Sequence, residues 1–287
     1  MRDILPDGIP SEREYRALMK SDLFKGLEIF SDNFALQNKE HLRSFASRWG
    51  KDSLRHWSRQ WEYPYVYHVL GDLIQQNQQN SNAKILDAGS GATFFPYYLK
   101  KQFPAADVFC CDYDATLTES FDKINAESGA SVAFSVSDLK TLSYKDEEFQ
   151  AVYCISVLEH TDDYEEIIKE FSRILRPNGK LIVTFDISLD GTRDINLDDG
   201  ASLLRSLARR FDVDSDISFD LHAQVSNPEI FTTLKAIQID ANLLPWRFPP
   251  FLHRLKSLFR TGRLGSWPPP LTVFCLSLTK RPDVPRE

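Results

Sequence analysis

A carboxylate followed by two glycines one residue apart, Asp87-Ala88-Gly89-Ser90-Gly91, stands directly after the apolar pair Ile85-Leu86. The pair reads as the end of a buried strand and the glycines as a turn closed to bulky side chains. An amphipathic run follows from Phe94 to Phe103. Strand, glycine turn and helix make a unit that can cradle a nucleotide, because the backbone approaches the ligand and offers N–H groups at a helix N-terminus. Asp87 narrows the chemistry: a carboxylate there repels a pyrophosphate and suits a ligand that ends in a cationic amino acid. Phe94 also stands where a dinucleotide turn carries its third glycine.

Further polar residues fall at matching places downstream. Asp112, with Tyr113 beside it, ends the apolar run Val108–Cys111 and lies 25 residues after Asp87. A carboxylate there can accept hydrogen bonds from both hydroxyls of a ribose. Ser137-Asp138-Leu139 ends the run Val132–Val136, placing a carboxylate for an adenine amino group and a leucine for the ring face. Ser156 ends the run Ala151–Ile155. Taken singly, Asp112 or Asp138 reads equally as a solvated loop acid; on consecutive strand ends they read as one ligand line. His160 follows the fourth strand, and its imidazole can take a proton from a hydroxyl acceptor. The competing reading is that Leu158-Glu159-His160 merely caps the strand.

The elements needed to position these residues are legible as alternating strand and helix patterns. Helical periods run over 115–125, 164–175 and 200–211, with Arg176-Pro177-Asn178-Gly179 stopping the second. Strands are expected at 180–187 and 271–278. Such alternation specifies an α/β fold, a doubly wound, Rossmann-like, mostly parallel seven-stranded sheet whose ligand lies beyond the carboxyl ends of the strands. Residues 1–82 read as an N-terminal helical extension, opened by a capping box at Ser11 and Glu14 and continued by periods over 41–49, 53–61 and 63–74. A Gln/Asn-rich spacer, 75–82, precedes the first strand. Within the extension, the aromatic segment from His56 to Tyr65 reads first as core packing and second as a lid over the ligand. The expected division is 1–82 extension, 83–211 ligand-binding core, 212–270 substrate-recognition insertion, and 271–287 last strand and tail.

Over about residues 84–187 the chain resembles small-molecule class I S-adenosylmethionine-dependent methyltransferases, similar to the ubiquinone- and menaquinone-biosynthesis type. The resemblance rests on Asp87 to Thr93, Ser137-Asp138-Leu139, Tyr153 to His160, and Leu175 to Leu181. It implies S-adenosylmethionine as cofactor, with the methionine portion on Gly89-Ser90-Gly91, the ribose on Asp112, the adenine on Asp138 and Leu139, and Ser156 on the pocket floor. Thr93 departs from the third glycine common in the first motif. The implied activity is methyl transfer to a small or lipid-like acceptor, with oxygen as the expected target. The rival readings are a binding-only protein of the same fold and a nicotinamide-dependent oxidoreductase. Asp162 and Asp163 are paired acids near the site, but no second cluster faces them from elsewhere in the sequence, so no metal is expected there.

Composition sets the outer bounds. The 287 residues are 42% hydrophobic and 26% charged, ordinary for a globular chain. No run of 18 apolar residues and no apolar leader core appear, so a cytoplasmic protein is expected. Cys110, Cys111, Cys154 and Cys275 fall in apolar strands and read as reduced core residues, the adjacent pair on opposite faces. The net charge of −7 hides an asymmetry: residues 241–281 hold seven Lys/Arg and no acid, and residues 282–287 carry −1, leaving −13 on residues 1–240. That acidic body argues against nucleic acid as partner.

The basic stretch contains an amphipathic segment, Phe251 to Arg260, between Pro249-Pro250 and Pro268-Pro269-Pro270. It reads first as a lid helix packed on the sheet with a solvated basic face. The second reading is that Arg247, Arg254, Lys256, Arg260 and Arg263 contact an anionic acceptor carrying phosphate or carboxylate. The third is contact with an anionic membrane surface, anchored by Trp246, Phe248 and Trp267.

Overall fold

In a computed structural model, the structure describes residues 5–43, 45, 54–76, 83–161, 163–193, 195–246 and 250–282, with the backbone alone at 253, 256, 260 and 261. The Rossmann-like centre runs β1 (Lys84–Ala88), β2 (Asp107–Asp112), β3 (Val132–Val136), β4 (Phe149–Ile155), β5 (Leu175–Ser188), β6 (Phe211–Val213) and β7 (Leu271–Lys280). Their order across the sheet is β3-β2-β1-β4-β5-β7-β6. The first five are mutually parallel, and β7 runs antiparallel between β5 and β6. The chain builds outward from β1 to β3, then returns to place β4 on the other side of β1. That reversal opens a crevice at the carboxyl ends of β1 and β4.

Each face of the sheet buries its own core. On one face pack α1 (Glu12–Met19), α2 (Asp22–Gln37), α3 (Arg59–Gln76), α4 (Phe95–Gln102) and α5 (Leu117–Ser128), around Trp57, Trp61, Phe95, Tyr153 and Phe121. On the other pack α6 (Tyr164–Ile174) and α7 (Leu197–Arg210), around Phe149, Phe171, Leu204 and Phe274. Period 2 along β2 sends Cys110 into the first core and Cys111 into the second. All four cysteines are free and buried.

The N-terminal segment is tied to the far end of the chain. Ser11 and Glu14 close the expected capping box at α1. Gly8 bridges to Cys275 of β7 and Ser11 to Ile230. Tyr15 stacks on Phe231 with ring centroids 3.7 Å apart. Between β6 and β7 lie α8 (Leu221–Val225), α9 (Thr233–Ile239) and α10 (Pro250–Thr261). No helix among the described residues is long and apolar enough to cross a membrane.

Three boundaries depart from expectation. Of the periods read separately over 53–61 and 63–74, residues 59–61 and 63–74 belong to one helix, α3, which runs through Pro64, while 54–58 form turns. A proline so near a helix start forfeits one backbone bond, and tertiary packing of the buried aromatic residues outweighs that loss. Residue 211, read as helix, instead starts the edge strand β6; three residues carry no period from which a strand could be read. The helix read to stop at Arg176–Gly179 does end, at Ile174, but those four residues lie inside β5, which starts before the expected 180; Asn178 takes a left-handed φ of 61° there and the register with β4 shifts. The 41–49 helix and the 75–82 spacer fall mostly outside the described residues.

Candidate active site

The turn after β1 needs its glycines. Gly89 and Gly91 have φ of +79° and +54°, the left-handed region that other residues enter at a cost. A Cβ on Gly89 would stand 2.6 Å from Val157 Cγ2, and one on Gly91 would stand 2.6 Å from the Phe45 ring. The turn is laced to β2: the Gly89 and Ser90 amides donate to the Cys111 carbonyl at 2.9 and 3.0 Å. The Gly91 amide donates to Asp112 Oδ2 at 2.9 Å, while Asp112 Oδ1 accepts from the Asp114 amide at 3.0 Å. The Ser137 amide donates to the Asp112 carbonyl at 2.9 Å, extending the line to β3.

The structure therefore brings Asp87, Gly89, Ser90, Gly91, Asp112 and Ser137 along one sheet edge. Leu139 is buried just beyond, whereas Asp138 and Tyr113 are exposed. Asp138 Oδ1 accepts from the Lys140 amide at 2.9 Å. Ser156 is buried at the end of β4 with a left-handed φ of 48°. His160 is exposed at the end of the short 3-10 turn Leu158–His160.

Sequence reasoning missed two residues that close the crevice from the other side. Glu62 of α3 is 0% exposed and accepts hydrogen bonds from Ser156 Oγ at 2.7 Å, from Thr184 Oγ1 of β5, and from Arg59. Arg59 Nη1 also donates to Ser156 Oγ at 2.6 Å. Close by, Glu159 Oε1 accepts from the Asp186 amide at 3.2 Å, while its buried Oε2 has no hydrogen-bond partner among the described residues. The signal lay in His56-Trp57-Ser58-Arg59-Gln60-Trp61-Glu62: two opposite charges three apart inside an aromatic run are neighbours on one helix face.

Burial governs the electrostatics. It pushes the Asp87 carboxyl up to about 8, with the Asp112 carboxylate adding to the rise, while the nearby Tyr153 hydroxyl and Arg59 oppose it. Burial likewise raises Glu159, helped by Glu62 and opposed by Arg59. It works against the charge on Arg59, but Glu62, Tyr63 and Asp186 outweigh it and hold the guanidinium above its ordinary value. An acid that is neutral when dry ionises readily beside an incoming cation, so Asp87 is suited to an ammonium or sulfonium group.

The residues present fit an adenosyl amino acid. The two glycines leave backbone room that a Cβ would fill, Asp112 sits at the neighbouring strand end, and an under-compensated acid lies at the crevice floor. Phe45 lies against Gly91 on the same side, a packing partner that sequence reasoning did not single out.

Comparisons with known proteins point to the same fold. Residues 86–183 match the family described as Methyltransferase domain. The methyltransferase GfsG of Streptomyces halstedii is 27% identical over 123 residues, 42% of this chain and 44% of that protein. The demethylmenaquinone methyltransferase of Deinococcus radiodurans is 28% identical over 107 residues, 36% of this chain and 43% of that one. The chain thus spans less than half the length of these two relatives. Among solved structures, the Galdieria sulphuraria protein assigned as a sarcosine dimethylglycine methyltransferase superposes with a TM-score of 0.53 at 14% identity. That match covers 84% of this chain and 98% of the other. A geranyl diphosphate methyltransferase in complex with SAM gives 0.51 at 15% identity, covering 77% and 90%. At these identities the structures show the shared fold.

Proposed function

We propose, from the premise that residues 86–183 form a class I methyltransferase domain, that the chain is an S-adenosylmethionine-dependent methyltransferase acting on a small or lipid-like acceptor, with oxygen as the target atom. One observation carries the reading: the acid that ends β2 reaches back to the amide of the glycine turn that ends β1, beside the β1/β4 crevice. That pairing sets a hydroxyl-binding carboxylate at a fixed distance from backbone that a ligand can approach.

S-Adenosylmethionine supplies an activated methyl group on a sulfonium, so the protein's work is chiefly positioning. Asp112 takes the ribose hydroxyls in place of its Gly91 and Asp114 bonds. Gly89, Ser90 and Gly91 carry the methionine portion, and Asp87 faces its ammonium. Ser137, Asp138 and Leu139 receive the adenine, with Tyr113 at the outer rim. Ser156, locked by Glu62 and Arg59, forms the floor. His160 takes the proton from a hydroxyl acceptor. The extension, 1–82, and the insertion, 212–270, bound the acceptor side.

Titration calorimetry with S-adenosylmethionine, S-adenosylhomocysteine and NAD tests the reading. Saturable binding of both adenosyl ligands without NAD binding is expected; NAD binding alone would make the chain an oxidoreductase. Turnover on an acceptor then separates enzyme from binder. His160→Ala is expected to lower turnover by about 10²–10⁴ while cofactor affinity holds, and an unchanged rate would return His160 to a capping role.

A further inference from the structure

The stripe read as the packed face of a lid helix is turned outward. Phe251, Leu252, Leu255, Leu258 and Phe259 of α10 are 65%, 44%, 46%, 39% and 83% exposed, and Leu264 just beyond is 67% exposed. At 100° per residue the five helical positions fill an arc of about 120°. Ser257, on the opposite side, is 5% exposed and is covered by the loop that follows the helix. Its Oγ donates to the Arg263 carbonyl at 3.1 Å, and a Cβ on Gly265 would stand 2.8 Å from that Oγ. The helix therefore rests on its small polar side and presents its apolar side.

Charge selects what covers that side. Residues 250–264 carry Arg254, Lys256, Arg260 and Arg263 with no acid, on a chain that is otherwise strongly acidic. By helical position Arg254 falls beside the apolar arc. A second copy packed through the same helix would bring these cations against their own kind, which disfavours a self-complementary dimer. An anionic lipid surface meets both features: headgroups take the cations and the acyl boundary takes the phenylalanines and leucines. Trp246 and Trp267 do not serve as anchors, because both are half-buried and pack on each other at 6.4 Å, with the Arg193 guanidinium 4.8 Å over Trp246.

The fold sets the orientation. The segment after α10 returns at the edge where β5 ends and β7 begins, since Ser188 pairs with Leu271 and the Leu189 amide donates to the Pro270 carbonyl. That is the edge on which Asp87, Asp112 and Ser156 lie. We propose that α10 and Leu264 dock this chain on an anionic membrane surface, with the carboxyl edge of the sheet toward the lipid. The proposal stands whether or not the chain transfers a methyl group.

Co-sedimentation of the full chain tests it, using vesicles of phosphatidylcholine alone and of phosphatidylcholine with phosphatidylserine, at low and physiological salt. Binding to the acidic vesicles is expected, weakening as salt rises. Phe251→Glu with Phe259→Glu should abolish it, and Arg254→Glu with Lys256→Glu should weaken it by at least about tenfold. All four positions are on the outer helix, so melting temperature and S-adenosylhomocysteine binding should hold. No sedimentation with acidic vesicles at low salt would overturn the proposal, as would equal sedimentation of the variants. A concentration-dependent dimer lost in Phe259→Glu, without lipid binding, would overturn it by assigning the face to a second copy.

Discussion

Two helices look alike on paper: α3 and α10 are rich in aromatic and apolar residues punctuated by cations. Their fates are opposite. α3 buries Trp61, Tyr63 and Tyr65 and sinks a carboxylate, Glu62, into the ends of β4 and β5. α10 rests on its own following loop through Ser257 and Arg254 and leaves its apolar stripe in solvent. Apolar content and period state that a face will be covered; they do not state by what. What separates the two is where the charges lie. In α3, Arg59 and Glu62 satisfy one another and two hydroxyls, so the helix can go inside. In α10 every charge has the same sign, and no acid on the helix can neutralise it for burial.

The largest effect should therefore follow the buried acid. Glu62→Ala strands a desolvated Arg59 and two hydroxyl donors, and should cost about 3–5 kcal/mol in urea unfolding. Glu62→Gln keeps an oxygen for Ser156 and Thr184 and should cost less. If Glu62→Ala proves as mild as a surface change, α3 is not locked in and the contrast with α10 fails.

A smaller effect concerns pH. Asp87 has a folded pKa near 8, above the ordinary carboxylate value, because burial disfavours its charge. Between the two values the native state holds a proton that the unfolded state has lost, so stability is full below about 4 and falls as pH rises toward 8. The slope is at most about 1.4 kcal/mol per pH unit for one such group. Asp87→Asn should flatten the ligand-free profile over that window; an unchanged profile would show that Asp87 is ionised when folded. Binding of a cationic amino-acid ligand should in turn release a proton at neutral pH, visible as a buffer-dependent heat in calorimetry. Smallest of all, Phe259→Ser at an 83% exposed position should change stability by no more than about 0.5 kcal/mol. A loss of several kcal/mol would mean that the stripe is packed after all.

Much of the candidate site's edge was legible because it depends on short-range rules. Strand ends at Asp87, Asp112, Ser137 and Ser156 follow from apolar runs that stop at a polar residue, and the glycine turn from a backbone that only glycine adopts cheaply. The Ser11–Glu14 capping box is local in the same way. What escaped notice depends on contacts distant in sequence. The partners of Glu62 lie 94 and 122 residues away, and no local pattern announces them. The outward face of α10 escaped for the same reason, since periodicity gives a helix two sides without saying which meets the body. β6 was lost because its pairing with β7 joins Phe211 to Lys280 across the whole insertion.

The central claim is that the Asp112 carboxylate, now held by the Gly91 and Asp114 amides, is the ribose acceptor of an S-adenosylmethionine site. Titration of wild type and Asp112→Ala with S-adenosylhomocysteine, alongside the melting curve of each, tests it most directly. Affinity should fall by about 1.5–3 kcal/mol, the scale for hydrogen bonds to a charged group, while the melting temperature stays nearly level. Equal affinities in the two proteins, or no binding by the wild type, would contradict it.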